Sequence, residues 1–392
     1  MKYDIFKRIK YIFVMLIIAT LGSTMLSGCS FVQGLGNDKA SSGQVGQSGQ
    51  EVIQTTLDPN MNINNIPMAS DDAANANTDS TVQVVSPTAT PTPEHILVSF
   101  IGDCTLGEAL AWNGSDIGFN AVIDGDYEYC FSQSVHILEQ DDMTLANLEG
   151  ALTDEIYHLD KEFVFGSPME YVQILQNGSI EAVNLANNHT YDYLDAGYLD
   201  TTNTLDEAGI VWSDEVTIAT YEVRGVIIGM AGTSMPINQQ AMYNAIDQMR
   251  AIGCNIIIIS CHWGDERDYT PNEDQIVMGH NLIDYGADIV IGTHPHRLQP
   301  IELYNGHYIA YCLSNFVFGG NTGLSDPDTC ILQCEFVMDP TNTYCVEYNL
   351  NVIPYCQTSS APSNDYCPMP YDWGSTDYYR VMERLGWSQE DE

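Results

Sequence analysis

Two histidines flank a proline in "DIVIGTHPHRLQPIEL", residues 288–303, of a chain that holds only 9 histidines. The aliphatic run Ile289, Val290 and Ile291 reads as a strand from Asp288 to Gly292, so His294 and His296 lie just past its end. Pro295 fixes its own φ and biases His294 toward extended backbone, where side chains two apart project to one side. Both imidazoles are therefore expected to leave the strand aimed at one point. The same sequence of an apolar run and then ligand-type residues occurs four times upstream. "HILVSFIGDCTLGEAL" predicts a strand over His95–Ile101 and a loop opened by Gly102 and Asp103. "DDMTLANLEGALT" ends in Asn147, Leu148 and Glu149, and "GSIEAVNLANNHTYDY" runs from a strand at Ala182–Ala186 into Asn187, Asn188 and His189. "GCNIIIISCHWGDE" predicts a strand over Asn255–Ser260, with His262 just beyond it and Glu266 following.

Asp103, Glu149, Asn188, His189, His262, His294 and His296 together make a set of hard oxygen and imidazole donors. Mixed carboxylate and imidazole suits manganese, iron or zinc, whereas all-oxygen shells suit calcium or magnesium. Two such metals about 3.5–4 Å apart, sharing a carboxylate, can hold a phosphoryl group and activate a water. Taken singly, each residue has a plainer use: Asp103 as a turn or cap residue, Asn187-Asn188 as a turn, His262 as a core side chain. Five segments that all place such residues at strand ends favour a metal centre. Competing chemistries lack their residues. No lysine after Cys29 sits in a phosphate-binding glycine loop, no GxSxG elbow occurs, and adjacent Cys261 and His262 point to opposite faces of a strand.

The elements that position these residues follow from the same pattern. Helical stretches, roughly Asp195–Ala208 closed by Gly209 and Glu273–Tyr285, separate several of the strands, and ligands bind beyond strand carboxyl ends in α/β sheets. Residues 298–352 alternate and predict further strands. Near the C-terminus, Tyr378, Val381, Met382 and Leu385 have helical spacing, and the aromatic-rich end reads as a strap packed across the domain.

"GDCTLGE", "ANLEGALT", "NLANNHTYDY", "SCHWGDE" and "GTHPHRLQPIELYNGHYIAYCLSNFVFG" resemble the successive motifs of the CapA-type poly-γ-glutamate capsule biosynthesis proteins, which are similar in fold to calcineurin-like metallophosphoesterases. The resemblance covers roughly residues 95–319. Its last block, with His294, His296, Gln299 and Asn315, is the most specific. It implies a layered α/β/β/α sandwich of the metallophosphoesterase type, with Asp103 and His296 on one metal and Glu149 bridging. Asn188, His262 and His294 would hold the second metal, and His189 would protonate a leaving group. Asn187, Glu266 and Arg297 are the residues expected to meet substrate. Thr105 stands where the wider superfamily often has a histidine, and Ser314 where it has a glycine. The implied partners are an anionic cell-surface polymer or a phosphoester, and capsule synthase subunits.

Composition sets the context. Residues 1–28 pair Lys2, Lys7, Arg8 and Lys10 with an apolar stretch ending in "LSGC", which resembles a bacterial lipoprotein signal with Cys29 as the lipidated residue. Residues 29–94 are polar and finish in "SPTATPTPE", a composition expected to stay disordered as a tether. The folded body is expected over 95–355, with the aromatic strap over 356–392. Four of the 12 basic residues and one of the 53 acidic residues precede Cys29, so the remainder carries 8 against 52, a formal charge of −44. Such a body repels nucleic acid and favours cations. Ten cysteines follow Cys29. An exported chain permits oxidation of the late group, Cys330, Cys334, Cys345, Cys356 and Cys367, in a connectivity that spacing does not reveal. The expected location is extracytoplasmic, anchored in the membrane through Cys29. Cys29→Ser should abolish lipid labelling and move the chain from membrane to soluble fractions; continued acyl labelling of that variant would refute the lipoprotein reading.

Overall fold

Ile256 and Ile258 face one way along their strand, Ile257 and Ile259 the other, and all four are buried. A strand buried on both faces needs a cover on each. The computed structural model describes residues 92–110 and 114–387 and shows what those covers are. The expected export signal over 1–28, Cys29 and the expected tether up to residue 91 lie outside these residues. Among the described residues, no helix is long and apolar enough to cross a membrane.

The first sheet has eight strands, β1 (His95–Thr105), β2 (Met143–Leu148), β5 (Ala182–Asn184), β6 (Val211–Ser213), β13 (Asn315–Phe318), β14 (Asp328–Met338), β15 (Cys345–Cys356) and β16 (Met369–Pro370). They run in the order β16-β15-β14-β1-β2-β5-β6, with β13 pairing β1. The second sheet has six, β7 (Ala219–Val223), β8 (Val226–Ser234), β9 (Ile256–His262), β10 (Ile289–Thr293), β11 (Leu298–Tyr304) and β12 (His307–Leu313), ordered β11-β12-β10-β9-β8-β7. A short ribbon joins β3 (Ala151–Leu152) to β4 (Gly166–Ser167).

The sheets pack face to face. Phe100, Leu145, Leu332 and Phe336 of the first share one core with Ile228, Ile258, Ile289 and Leu313 from the second-sheet strands. On the outer face of the first sheet, Ala146, Val183 and Tyr355 pack against helices α1 (Phe119–Ile123), α2 (Val135–Leu138), α3 (Val172–Asn177) and α4 (Leu194–Ala208). On the outer face of the second, Ile257, Ile259 and Val290 pack against α5 (Gln239–Ala251) and α6 (Glu273–Tyr285). The layers are thus α/β/β/α, the fold class expected. Helix α6 has the predicted ends, and Asn272 with Gln275 forms a reciprocal capping box at its start. Tyr378, Val381, Met382 and Leu385 are buried in the inter-sheet core, the first three on α7 (Thr376–Arg384) and Leu385 capping it.

Two strands run past their expected ends. β1 continues through Gly102 and Asp103 to Thr105, and β9 includes His262. Each extension is held by neighbours on both sides: Asp103 sits opposite Asn147 of β2 and Asn315 of β13, and His262 opposite Thr293 and Ser234. All ten described cysteines are free thiols, so the late group forms no disulfide here. Most are buried in strands, where they act as small apolar side chains.

Asp141 supplies a pH-sensitive element away from the strand ends. Its carboxyl accepts from Thr144 Oγ1 at 2.8 Å, and burial beside Glu181 and Asp142 pushes it up to about 6. A carboxyl raised in the folded state favours folding below its unfolded value near 3.8, and that contribution fades as pH climbs through 6. Asp141→Asn should therefore leave the melting temperature unchanged at pH 3.5 and raise it at pH 7.5 by about 2 °C, a figure discounted for solvent contact. Calorimetry at the two pH values checks this; an equal shift at both would rule it out.

Candidate metal centre

Parallel pairing sets the geometry of the site. β1, β2 and β5 of one sheet and β9 and β10 of the other end at the same rim, so the residues at and just after their carboxyl ends meet. Asp103 and Glu149 are fully buried there. Asp103 Oδ1 accepts from Asn147 Nδ2 at 2.7 Å, and its Oδ2 lies 3.3 Å from His296 Nδ1. Ligand atoms of Asp103, Glu149 and His296 all lie within 4.8 Å of one another. A second group surrounds His262 Nε2: Asn188 Oδ1 at 2.8 Å, His294 Nδ1 at 3.1 Å and Glu149 Oε1 at 3.6 Å. Glu149 belongs to both groups. All six residues expected to be ligands are thus gathered, in the two subsets expected.

The way the two late histidines arrive differs from expectation. His294 and His296 are not extended; both have left-handed backbone, with φ of 98° and 53°. The chain after β10 winds through a tight turn around Pro295 and puts both rings into the site, their centroids 6.1 Å apart. Ser314 is also left-handed, φ 63°, a backbone conformation that favours glycine. Its carbonyl accepts from Asp103 N at 2.9 Å, and a Cβ on Gly102 would fall 1.8 Å from the same oxygen. Glycine at 102 is therefore required for β1 to carry Asp103 this close to the turn.

The electrostatics call for a cation. Glu149 Oε1 has no hydrogen-bond partner among the described residues, though it is buried and faces Nε2 of His262 at 3.6 Å and of His189 at 3.9 Å. Burial and the neighbouring Asp103 charge raise its carboxyl to about 8. Asp103 is held low: burial pushes it up, but the hydrogen bond and charge of His296, with the facing His262 ring and the Asn147 hydrogen bond, outweigh that. His296 rises to about 9 because Glu149 and Asp103 overcome its own burial. Burial drives His262 well below the ordinary imidazole range and lowers His294, so both offer neutral nitrogens. An orphaned, buried carboxylate oxygen beside neutral imidazoles is the donor chemistry a divalent metal takes. Asp103, Glu149 and His296 would hold one ion, and Glu149, Asn188, His262 and His294 the other.

His189 differs from these ligands. Its Nδ1 lies 2.8 Å from Asp192 Oδ2, its Nε2 points toward Glu149, and Phe165 packs on its ring at 4.5 Å between centroids. Lys161 Nζ closes the arrangement, 2.5 Å from Asp192 Oδ1, 3.2 Å from His189 Nδ1 and 3.0 Å from the Asn188 carbonyl. Beside His189 opens a cavity of about 250 Å³, walled by Phe163, Phe165 and Phe318 and lined by Glu266, Arg267 and Arg297. Two of the three residues expected to meet substrate, Glu266 and Arg297, line it. Asn187 does not. Its amide donates to the Leu148 carbonyl and its Oδ1 accepts from His189 N, so it shapes the turn that presents Asn188 and His189.

Sequence reasoning gave no role to Asn147, Asp192, Lys161, Thr293 or Asn315. Asn147 and Thr293 hold Asp103 and His262 Nδ1, and Asn315 Oδ1 lies 2.7 Å from His296 Nδ1. Asp192, three residues after His189 in "NNHTYD", was the one with a usable signal. A carboxylate at that spacing can reach back to the imidazole within a single turn.

The family model described as bacterial capsule synthesis protein PGA_cap matches residues 97–234 and 215–320. The PGA biosynthesis protein CapA of Bacillus subtilis is 29% identical over 246 residues, covering 56% of this chain and 62% of that protein. The capsule biosynthesis protein CapA of Bacillus anthracis is 25% identical over 266 residues, covering 60% and 63%. The chain thus spans less than two thirds of the length of these relatives. Among solved structures, a phosphatase from Mycoplasma pneumoniae superposes with a TM-score of 0.42 at 11% identity, covering 67% of this chain and 95% of that one.

The two metal positions should be unequal. The His262 group offers four protein donors, and the Asp103 group three, since Thr105 supplies only a hydroxyl 3.5 Å from Glu149 Oε2. Titrating metal-free protein with manganese should give two steps, the weaker lost in Asp103→Ala and the stronger in His262→Ala. One class of site, or loss of both steps in Asp103→Ala, would contradict this.

Proposed function

The chain belongs to the bacterial capsule synthesis protein family, whose model spans more than half of it, and we propose that it cleaves or transfers an anionic capsule polymer at a two-metal site outside the cell membrane. Its relatives are named for PGA and capsule biosynthesis, so the polymer proposed is poly-γ-glutamate or a close analogue. A lipidated Cys29 would hold the protein at the surface, beside synthase subunits. Divalent metal at Asp103, Glu149, Asn188, His262, His294 and His296 would supply Lewis-acid polarisation of the carbonyl or phosphoryl oxygen under attack.

The observation that carries a hydrolytic or transfer reading is His189. A buried imidazole tied at Nδ1 to a carboxylate, with Nε2 facing the bridging Glu149, is placed to handle a proton rather than to bind metal. Asp192 fixes the tautomer, so that Nε2 is the atom that gives or takes the proton. Asp192 is itself held by Lys161 and by the Phe165 amide, which donates to Oδ2 at 2.6 Å. Burial lowers the His189 pKa despite Asp192, which keeps the imidazole a strong proton donor once charged. Phe165 and Phe318 pack edge to face as an apolar wall on the side where a leaving group would depart.

Manganese-loaded full-length protein incubated with γ-linked glutamate chains should release shorter chains, whereas turnover of an aryl phosphate alone would favour a generic phosphoesterase. Binding with no turnover of either would identify a scaffold. His189→Ala should lose about 10²–10⁴-fold in rate while keeping its metal. Asp192→Asn should lose rate without losing metal, because it leaves the six ligands in place. Metal loss from His189→Ala equal to that of His262→Ala would make His189 a ligand instead.

A further inference from the structure

Cations are scarce in this protein, and where they are spent is informative. Seven of the 12 Lys and Arg residues fall among the described residues, and six of those have side-chain partners. Lys161 serves Asp192, Arg224 serves Glu94 and Asp142, and Arg380 and Arg384 serve Asp328 and Asp326. Arg250 caps the Gly286 carbonyl at 2.8 Å. Arg297 is also used up. Nη1 donates to the His296 carbonyl at 2.6 Å, Nη2 to Ser325 Oγ at 2.7 Å, and Nε faces Asp326 at 3.7 Å.

Arg267 alone keeps its guanidinium unpaired among the described residues, although it lies between Glu266 and Asp268 and shares the cavity with Glu266. Its backbone is nonetheless fixed. The Arg267 amide donates to the Pro295 carbonyl at 2.7 Å, tying it to the turn that carries His294 and His296, and its φ of 68° is left-handed. One residue on, the Asp268 carbonyl accepts from Gln299 Nε2 at 3.0 Å, and Gln299 is fully buried. A non-glycine residue in that backbone region is uncommon and is retained where its surroundings determine it. The result is a five-donor fork on a fixed backbone at the wall of the cavity, beside His189 and His296, with no acceptor among the described residues.

We infer that Arg267 is a specificity residue that captures a carboxylate of the substrate one position away from the reacting bond. The inference rests on the polymer reading above and narrows it. A substrate with a single acid group would place that group on the metals and leave Arg267 idle. A chain with an acid on every unit presents a second carboxylate at the cavity rim, and guanidinium binds carboxylate bidentately. Against a chain of net charge −41, such a group also offsets the local repulsion that a polyanion meets on arrival.

The test is fluorescence anisotropy of a labelled γ-linked glutamate oligomer on manganese-loaded full-length protein, at low salt. Arg267→Gln should weaken binding by about 10-fold or more, the reach of a charge-assisted bidentate pair, and Arg267→Lys should recover only part of it. The same oligomer with its free carboxyls methylated should bind wild type and Arg267→Gln alike. Because Arg267 is exposed, the variant should melt with wild type, which separates lost recognition from lost folding. Equal binding of the acid oligomer by wild type and Arg267→Gln overturns the assignment and leaves the polymer reading standing. So does an Arg267 effect confined to polyphosphate. Failure of wild type to bind the oligomer at all overturns both.

Discussion

Two carboxylates buried at the ends of adjacent strands are the constraint on which this structure turns. Asp103 and Glu149 are both inaccessible to solvent, and like charges about 4 Å apart repel by about 4 kcal/mol even at an effective dielectric of 20. A fold does not keep such a pair without a counter-charge. The protein answers in part: the two acids raise His296 to about 9, and burial beside Asp103 raises Glu149 to about 8. The rest is left open, because Glu149 Oε1 has no partner of its own. The neutral imidazoles of His262 and His294 surround that oxygen without neutralising it. A divalent cation would displace the Glu149 proton, which burial and the Asp103 charge hold up to about pH 8, and so meet two carboxylates where the metal-free protein keeps one charged.

Much of the remaining architecture serves to hold this pair still. Asn147 donates to Asp103 and accepts from Asn184 at 2.8 Å, which links β1, β2 and β5 across the site floor. Thr293 holds His262 from the adjacent strand β10, and Asn315 of β13 holds His296 in the turn after β10. Partners behind the ligands fix ring orientation and so determine which nitrogen faces the metal. Gly102 belongs to the same system, since any side chain there would push β1 away from Ser314 and take Asp103 with it.

The sequence made the layers and the ligand set legible for a single reason: apolar runs ending in Asp, Glu, Asn or His occur five times in order. The continuous apolar run in "NIIIIS" and the helix Glu273–Tyr285 follow local rules, and they appear as read. What could not be read was anything set by tertiary contact. Asp103 looked like a loop residue because "GD" is turn chemistry, yet strand pairing on both flanks keeps it in β1. His294 and His296 looked extended because proline biases its predecessor that way, yet both are left-handed, since only that turn returns both rings to the site. Local propensity lost to the geometry of the site, as is expected where function strains the backbone. The role of Lys161 was invisible for another reason: its partner Asp192 lies 31 positions away, beyond β4, α3 and β5.

The C-terminal helix shows how far the site's support extends. Asp326 and Asp328 are buried beside the cavity wall, and Arg384 of α7 reaches both, while Arg380 pairs with Asp328. Tyr269 Oη adds a bond to Asp326 at 2.6 Å, and its ring lies under the Arg384 guanidinium at 4.7 Å. Asp326 in turn faces Arg297, whose other donors grip the His296 carbonyl and Ser325. One line of contacts thus runs from α7 through Asp326 to the backbone of a metal-site histidine. Removing one partner of a buried ion pair costs several kcal/mol, because the charge left behind is stranded. Two aspartates stranded in this wall would disturb Arg297 first and His296 next. The aromatic end of the chain is on this account part of the site's framework, and the inter-sheet burial of Val381 and Met382 is what anchors its arginines in reach.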